Sequence, residues 1–159
     1  MNTFDANENQ KEKANIDTRL KLASLWTCFM FMYIYVDYFH LYMPSSLNDI
    51  LSGKVFEFEI SQAFLLISMI SVTVPALMIP FSLILPASVC RRTNIIAAIV
   101  YIPYTLFNLV GEAWIHMVFA AAVEVVLLLV ILRHAWIWPR VQTGITSGAA
   151  AHSFQVAKP

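Results

Sequence analysis

LASLWTCFMFMYIYVDYFHLYM, residues 22–43, decides the fold. About 20 apolar residues at 1.5 Å rise cross the ~30 Å hydrocarbon core of a bilayer, so this 22-residue run predicts one membrane-spanning helix. Pro44 ends it, because proline cannot continue the hydrogen-bond ladder. The anomaly is Asp37. A charge at mid-bilayer costs ~2.5 to 3.5 kcal/mol on insertion scales, so such a residue faces the protein interior and marks a path, a site or a pairing.

The rest of the chain supplies more helices of the same kind. Residues 63–85 form a second span interrupted by Pro75 and Pro80 and closed by Pro86. Residues 94–110 form a short third span containing Pro103, and residues 115–132 a fourth, followed by Arg133 and the belt-like AWIWP. The expected fold is all-α, a four-transmembrane-helix bundle, in a single membrane domain at residues 19–140. Residues 1–18 are polar, mixed in charge and without apolar period, which predicts a disordered cytosolic arm and no cleavable signal. Residues 141–159 are small and polar and read as a disordered cytosolic tail. Between the first two spans, SSLNDILSG reads as a short surface helix with Ser46 as N-cap and Gly53 as terminator, and VFEFEI as an extended piece.

Composition agrees. A chain of 159 residues with 59% hydrophobic and 13% charged residues, and a mean hydropathy of +0.68, is far from soluble averages. Cys28 and Cys90 are too far apart in sequence to make a C-x-x-C pair or a zinc knuckle, which excludes disulfide frameworks and dithiol chemistry; Cys28 reads as a small buried hydrophobe. Only four glycines are present, and no phosphate-binding loop, soluble catalytic triad or nucleic-acid signal occurs. No cofactor and no metal site is expected.

The net charge of zero conceals an asymmetry. If the N-terminus is cytosolic, four spans place nine of the ten Lys and Arg residues inside and only Lys54 outside, a positive-inside pattern that predicts a multi-pass inner-membrane protein with both termini in the cytosol. Trp26, Trp136 and Trp138 then fall near the inner interface and Trp114 near the outer one. Asp49, Glu57, Glu59 and Glu112 surround Lys54 in an acidic mouth, attracting cations within the ~8 Å reach of unscreened charge.

Each span has one polar side. Trp26, Met30, Tyr33, Asp37 and His40 recur at helical spacing on the first, and Ala120, Ala121, Glu124, Leu128 and Ile131 on the fourth, where small residues permit close approach. Tyr101, Tyr104 and Asn108 share a face of the third span, Ser68, Ser71 and Pro75 one of the second. Counting rise from the outer ends places Asp37 roughly 9 Å deep and Glu124 roughly 14 Å deep, neighbouring levels. No intramembrane Lys or Arg accompanies them, so protonation, a bound cation, or tyrosine and histidine donors must satisfy the two acids. His116 and Trp114 read as interface anchors. Asp37 and Glu124 tied to tyrosines purely to fix packing is the competing reading.

The sequence resembles a family of small uncharacterised bacterial four-helix integral membrane proteins, through Leu25, Trp26, Tyr33, Tyr35 and Asp37 in the first span and Glu124, Trp136, Trp138 and Pro139 in the last. The likeness covers about residues 18–140 and implies the fold, not an activity. A looser likeness in size and helix number to DoxX-like bundles and small multidrug exporters is analogy at the level of fold.

Three function classes follow. The first is binding or transport of protons, small cations or amphipathic amines by Asp37 and Glu124, with Tyr33, His40, Tyr101 and Tyr104 lining the site and Asn108 orienting the ligand. A chain this short would act as a homo-oligomer or within a larger membrane complex in the lipid bilayer. The second is an accessory or structural subunit of such a complex. The third is an intramembrane enzyme acting on a lipid or isoprenoid, with the two carboxyls as acid and base.

Overall fold

The computed structural model describes residues 3–55, 58–110 and 114–138. Its element order is α1 (Thr3–His40), α2 (Ser46–Leu51), β1 (Lys54–Val55), β2 (Phe58–Glu59), α3 (Gln62–Ile84), α4 (Ala87–Phe107) and α5 (Ile115–Ile137). The chain is mostly helical, and three helices are long and apolar enough to cross a membrane: residues Glu12–His40 of α1, Gln62–Ile84 and Ile115–Ile137. The remaining long helix, α4, carries Arg91, Arg92 and Asn94 in its first two turns.

Several boundaries differ from the sequence reading. Helix α1 begins at Thr3, so the stretch expected as a disordered arm continues the first helix, and among residues 12–21 most side chains are exposed. Helix α4 begins at Ala87, so Arg91 and Arg92 lie inside a helix instead of in a link; Pro86 precedes the first turn, where an absent N–H costs nothing. Helix α5 continues through Ala135 and Trp136. The N-cap of α2 is Ser45, in a left-handed conformation and without a side-chain cap, and not Ser46. Gly53 does terminate that turn, at φ +84°, and the extended piece after it is an antiparallel pair with Lys54 opposite Glu59 and Val55 opposite Phe58. The tail expected at residues 141–159, with Glu57, Glu112 and Pro139, lies outside the described residues.

Helix α1 packs along α3 and α5, and α4 along α5, with a lighter contact between α3 and α4. The order around the bundle is therefore α1, α3, α4, α5, with α1 and α4 facing each other across its middle. Cross-bonds give the directions. Trp26 pairs with Asn94 and Tyr33 with Tyr104, so α1 and α4 run the same way. Arg19 of α1 reaches the far end of α3, and Arg91 of α4 the far end of α5, so α3 and α5 run oppositely.

The two arginines define one end of the bundle. Arg19 donates to the carbonyls of Leu83 and Leu85 at 2.8 and 2.7 Å, and its guanidinium lies 5.7 Å over the Trp138 ring. Arg91 donates to Ala135 O and Trp136 O, each at 3.0 Å. The last carbonyls of a helix have no intrahelical donor and carry its negative dipole end, so two cations satisfy both needs at once. Trp138 is buried there, and Trp26, expected at the interface, is fully buried in the core.

Three of the prolines leave a carbonyl that α4 supplies with a donor. A proline at position i leaves the carbonyl of i−4 without its helical donor. For Pro75 that carbonyl is Ser71, which accepts from the Tyr101 hydroxyl at 2.6 Å. For Pro86 it is Ser82, which accepts from the Cys90 thiol at 3.4 Å. The proline at position 139 leaves Ala135, which accepts from Arg91 Nε. All three donors stand on α4, the helix that completes its neighbours' hydrogen bonding.

Candidate functional site

The interior has three levels, set by the Trp26–Asn94 bond. At the first, Trp26 Nε1–H donates to Asn94 Oδ1 at 2.7 Å, while the Asn94 amide donates to Cys90 O at 2.8 Å and to Ser82 Oγ at 3.3 Å. Trp26, Ser82, Cys90 and Asn94 are all fully buried, walled by Leu22, Leu128, Ile131 and Ala135. Every polar group in that dry layer therefore needs its partner within the protein. Sequence reasoning set Asn94 at the edge of a span and passed over it; an amide within an apolar run was the available signal. Of the two cysteines, Cys28 is exposed and Cys90 is the buried one, the reverse of what the sequence suggested for Cys28.

The second level is aromatic. Trp26, Phe29 and Tyr101 meet edge to face at centroid distances of 5.6 to 6.4 Å, a geometry the ring quadrupoles favour. Above them Tyr33 and Tyr104 share a hydrogen bond of 3.2 Å, and Tyr104 donates to Ser71 Oγ at 3.0 Å, which passes a hydrogen bond to Ser68 O at 2.7 Å. Tyr33, Tyr101 and Tyr104 are thus brought together as expected, and the residue that joins them is Ser71, beside Pro75.

The third level holds the acids. Asp37 lies 11 residues beyond Trp26 and Thr105 lies 11 beyond Asn94, so on parallel helices both stand ~16 Å above the Trp26–Asn94 bond. Thr105 Oγ1 donates to Glu124 Oε2 at 3.2 Å. Glu124 is only 5% exposed, set beside the buried Ala120 and Ala121 that let α5 approach α4. Asp37 is exposed, and close enough to Glu124 and to Tyr33 for its charge to act on both. The α5 stripe of Ala120, Ala121, Glu124, Leu128 and Ile131 is buried throughout. The α1 stripe is buried at Trp26 and Met30, half-buried at Tyr33, open at Asp37 and half-buried again at His40.

One expected member, Asn108, lies apart, as does the anchor His116. Asn108 is the C-cap of α4 and exposed, one turn past Tyr104, because the helix stops at Phe107. His116 sits in the first turn of α5 against Trp114, at a ring distance of 6.3 Å. Thr105, the direct partner of Glu124, went unnoticed in the sequence because a threonine in an apolar helix commonly bonds its own backbone.

No Lys or Arg follows Lys21 in α1 or Arg92 in α4, and α3 has none, so the acid level has no cationic side chain from the helix interiors around it. Among the described residues no group of three His, Cys, Asp or Glu side chains is placed to hold a metal ion. The arrangement offers one buried carboxyl with a single hydroxyl donor, one accessible carboxyl beside it, and a tyrosine pair beneath. Such a constellation can take up a proton, or accept a compact cation whose charge the two carboxyls share and whose apolar part meets aromatic faces.

A protein-family model, that of a Family of unknown function (DUF6326), matches residues 4–144. No curated protein and no solved structure matches the chain.

Proposed function

Since the chain belongs to that family of unknown function, we propose its role from the site alone: a multi-pass membrane protein that binds protons or small cations, amines included, at Asp37 and Glu124. The observation that carries this reading is the pairing of a buried, singly bonded Glu124 with an accessible Asp37 at a level to which the four long helices, among the described residues, contribute no Lys or Arg. An acid pair held only for packing would be expected to bury both members and bond both to neutral donors. In this reading all four long helices cross the bilayer, α4 shielded by α5 and by the arginine caps at its end. The arginine end lies in the cytosol of an inner-membrane protein, in keeping with nine of ten Lys and Arg residues on that side.

Access is from the end that carries α2 and the hairpin. Below the acids, Trp26, Phe29, Leu128 and Ile131 are fully buried and fill the way to the arginine end. In this reading the site opens to one side, and any transfer across the membrane would require the aromatic level to part.

The test uses the full chain in detergent and in proteoliposomes, with tetramethylammonium and sodium as probes and a pH-sensitive dye for protons. Asp37→Asn and Glu124→Gln keep the side-chain volumes and leave an acceptor for Thr105. Saturable cation-dependent stabilisation that weakens tenfold or more in each variant supports the reading. Stabilisation and flux unchanged in both variants overturn it.

One observation favours a second reading, an accessory subunit of a larger complex. Phe31, Tyr35 and Phe39 form a ladder of rings at 6.4 to 6.5 Å on the exposed side of α1, and Tyr38 and Tyr42 share a 2.6 Å hydrogen bond beside it. Recovery of a stoichiometric partner from native membranes, lost on Tyr35→Ala and Phe39→Ala, would move the assignment there.

A further inference from the structure

On the outside of the bundle, near the arginine end, α4 and α5 leave a shallow groove of about 370 Å3 lined by Ile99, Leu129, Leu132, Arg133, Trp136 and Ile137. Its walls are apolar along the middle of the helices and basic at one end only. Arg92 belongs with it, because it lies seven residues before Ile99, two turns on, and so on the same face of α4. Both arginines are exposed, and neither makes a hydrogen bond or ion pair with the described residues. Their neighbour Arg91 differs: it is committed to the carbonyls of Ala135 and Trp136.

That commitment matters electrostatically. The C-terminal end of a helix is negative and repels anions within about one turn, but Arg91 neutralises the end of α5 beside the groove. Helix α4 contains no acid, and the nearest one along α5, Glu124, is nine residues from Arg133, ~13 Å away. The groove thus combines an uncompensated pair of guanidinium groups, an indole at interfacial depth and an apolar channel leading into the membrane. Arginine forks match phosphate oxygens, and tryptophan prefers the glycerol level of a bilayer.

We infer that this groove is a binding site for one anionic phospholipid of the leaflet at the arginine end. The phosphate sits between Arg92 and Arg133, Trp136 lies at the glycerol backbone, and an acyl chain runs between Ile99 and Leu129. Free inorganic phosphate would leave the apolar part unused. A second protein copy, which could offer Glu12 or Asp17 of α1 at that end, is separated by the test. The inference is independent of Asp37 and Glu124.

The experiment titrates the purified full chain with phosphatidylglycerol or phosphatidylcholine, reading bound lipid by native mass spectrometry and stability by thermal unfolding. Phosphatidylglycerol should be retained preferentially. A basic side chain near a membrane contributes about a factor of five in affinity for anionic lipid, so Arg133→Gln should weaken phosphatidylglycerol roughly fivefold and the pair with Arg92→Gln roughly 25-fold. Phosphatidylcholine should be indifferent to both. Arg133→Lys, which keeps the charge, should retain binding within about twofold, which separates charge from folding effects. Ile99→Trp, filling the groove with both arginines intact, should weaken both lipids. Equal binding of the two lipids by the parent chain, undiminished phosphatidylglycerol in the double variant, or displacement by inorganic phosphate alone overturns the proposal. So does an Ile99→Trp variant that dissociates a dimer without altering lipid binding.

Discussion

Replacing Tyr101 by phenylalanine removes one hydroxyl, and the effect should depend on a proline 26 positions away. The Tyr101 hydroxyl donates at 2.6 Å to Ser71 O, the carbonyl that Pro75 leaves without a helical donor. Interhelical hydrogen bonds in membrane proteins average ~0.6 kcal/mol and reach ~1.7, while a buried group left without its partner costs ~1 to 3 kcal/mol. Tyr101→Phe should therefore cost about 1.5 kcal/mol. With Pro75→Ala in place, the alanine N–H can rejoin Ser71 O, and the same Tyr101→Phe change should cost about 0.5 kcal/mol. The coupling of about 1 kcal/mol is read from a double-mutant cycle, which cancels the cavity that Pro75→Ala leaves in both arms. Reversible unfolding in mixed micelles, followed by circular dichroism, measures all four corners. Tyr104→Phe is the control: its hydroxyl serves Ser71 Oγ at 3.0 Å and should not couple to Pro75→Ala. Equal costs of Tyr101→Phe in both backgrounds would refute the idea that the tyrosine substitutes for the donor proline lacks.

Asn94→Leu should cost about 2 kcal/mol, because it strands the fully buried Trp26 Nε1–H; adding Trp26→Phe should recover about 1 kcal/mol of that in the same unfolding assay. Gly53→Ala places a Cβ at φ +84° where nothing lies within 4 Å, so it carries only the left-handed penalty of about 1 kcal/mol. Because Gly53 accepts from Ile60 N at 2.8 Å and donates to Ile50 O at 3.0 Å, amide exchange at Ile60 and at residue 53 itself should speed up roughly fivefold, with the bundle core unaffected.

How far the site was legible varies by residue. Glu124 and its alanine stripe followed from spacing alone, since the period of a helix puts Ala120, Ala121, Glu124, Leu128 and Ile131 on one side and burial selects that side. The shared level of Asp37 and Glu124 followed from rise. Asn108 did not join them, because the end of α4 is set by capping and chain geometry that apolar run length estimates only to within a turn. Trp26 was misassigned to the interface for a related reason. A tryptophan near the start of an apolar run has the same sequence signature whether its N–H meets water or, as here, Asn94 Oδ1.

By itself the sequence determined the class: runs of about 20 apolar residues bounded by prolines give helices long and apolar enough to cross a bilayer. It also determined which carbonyls would lack donors, since each proline names the residue four before it. What it left open was the donor. Tyr101, Cys90 and Arg91 are ordinary residues on α4 until packing sets them against Ser71, Ser82 and Ala135. Only the tertiary structure decided those pairings, and with them the opening of Asp37 and the burial of Glu124. The reason is that a hydrogen bond between helices depends on rotation and height, which no single helix's pattern contains.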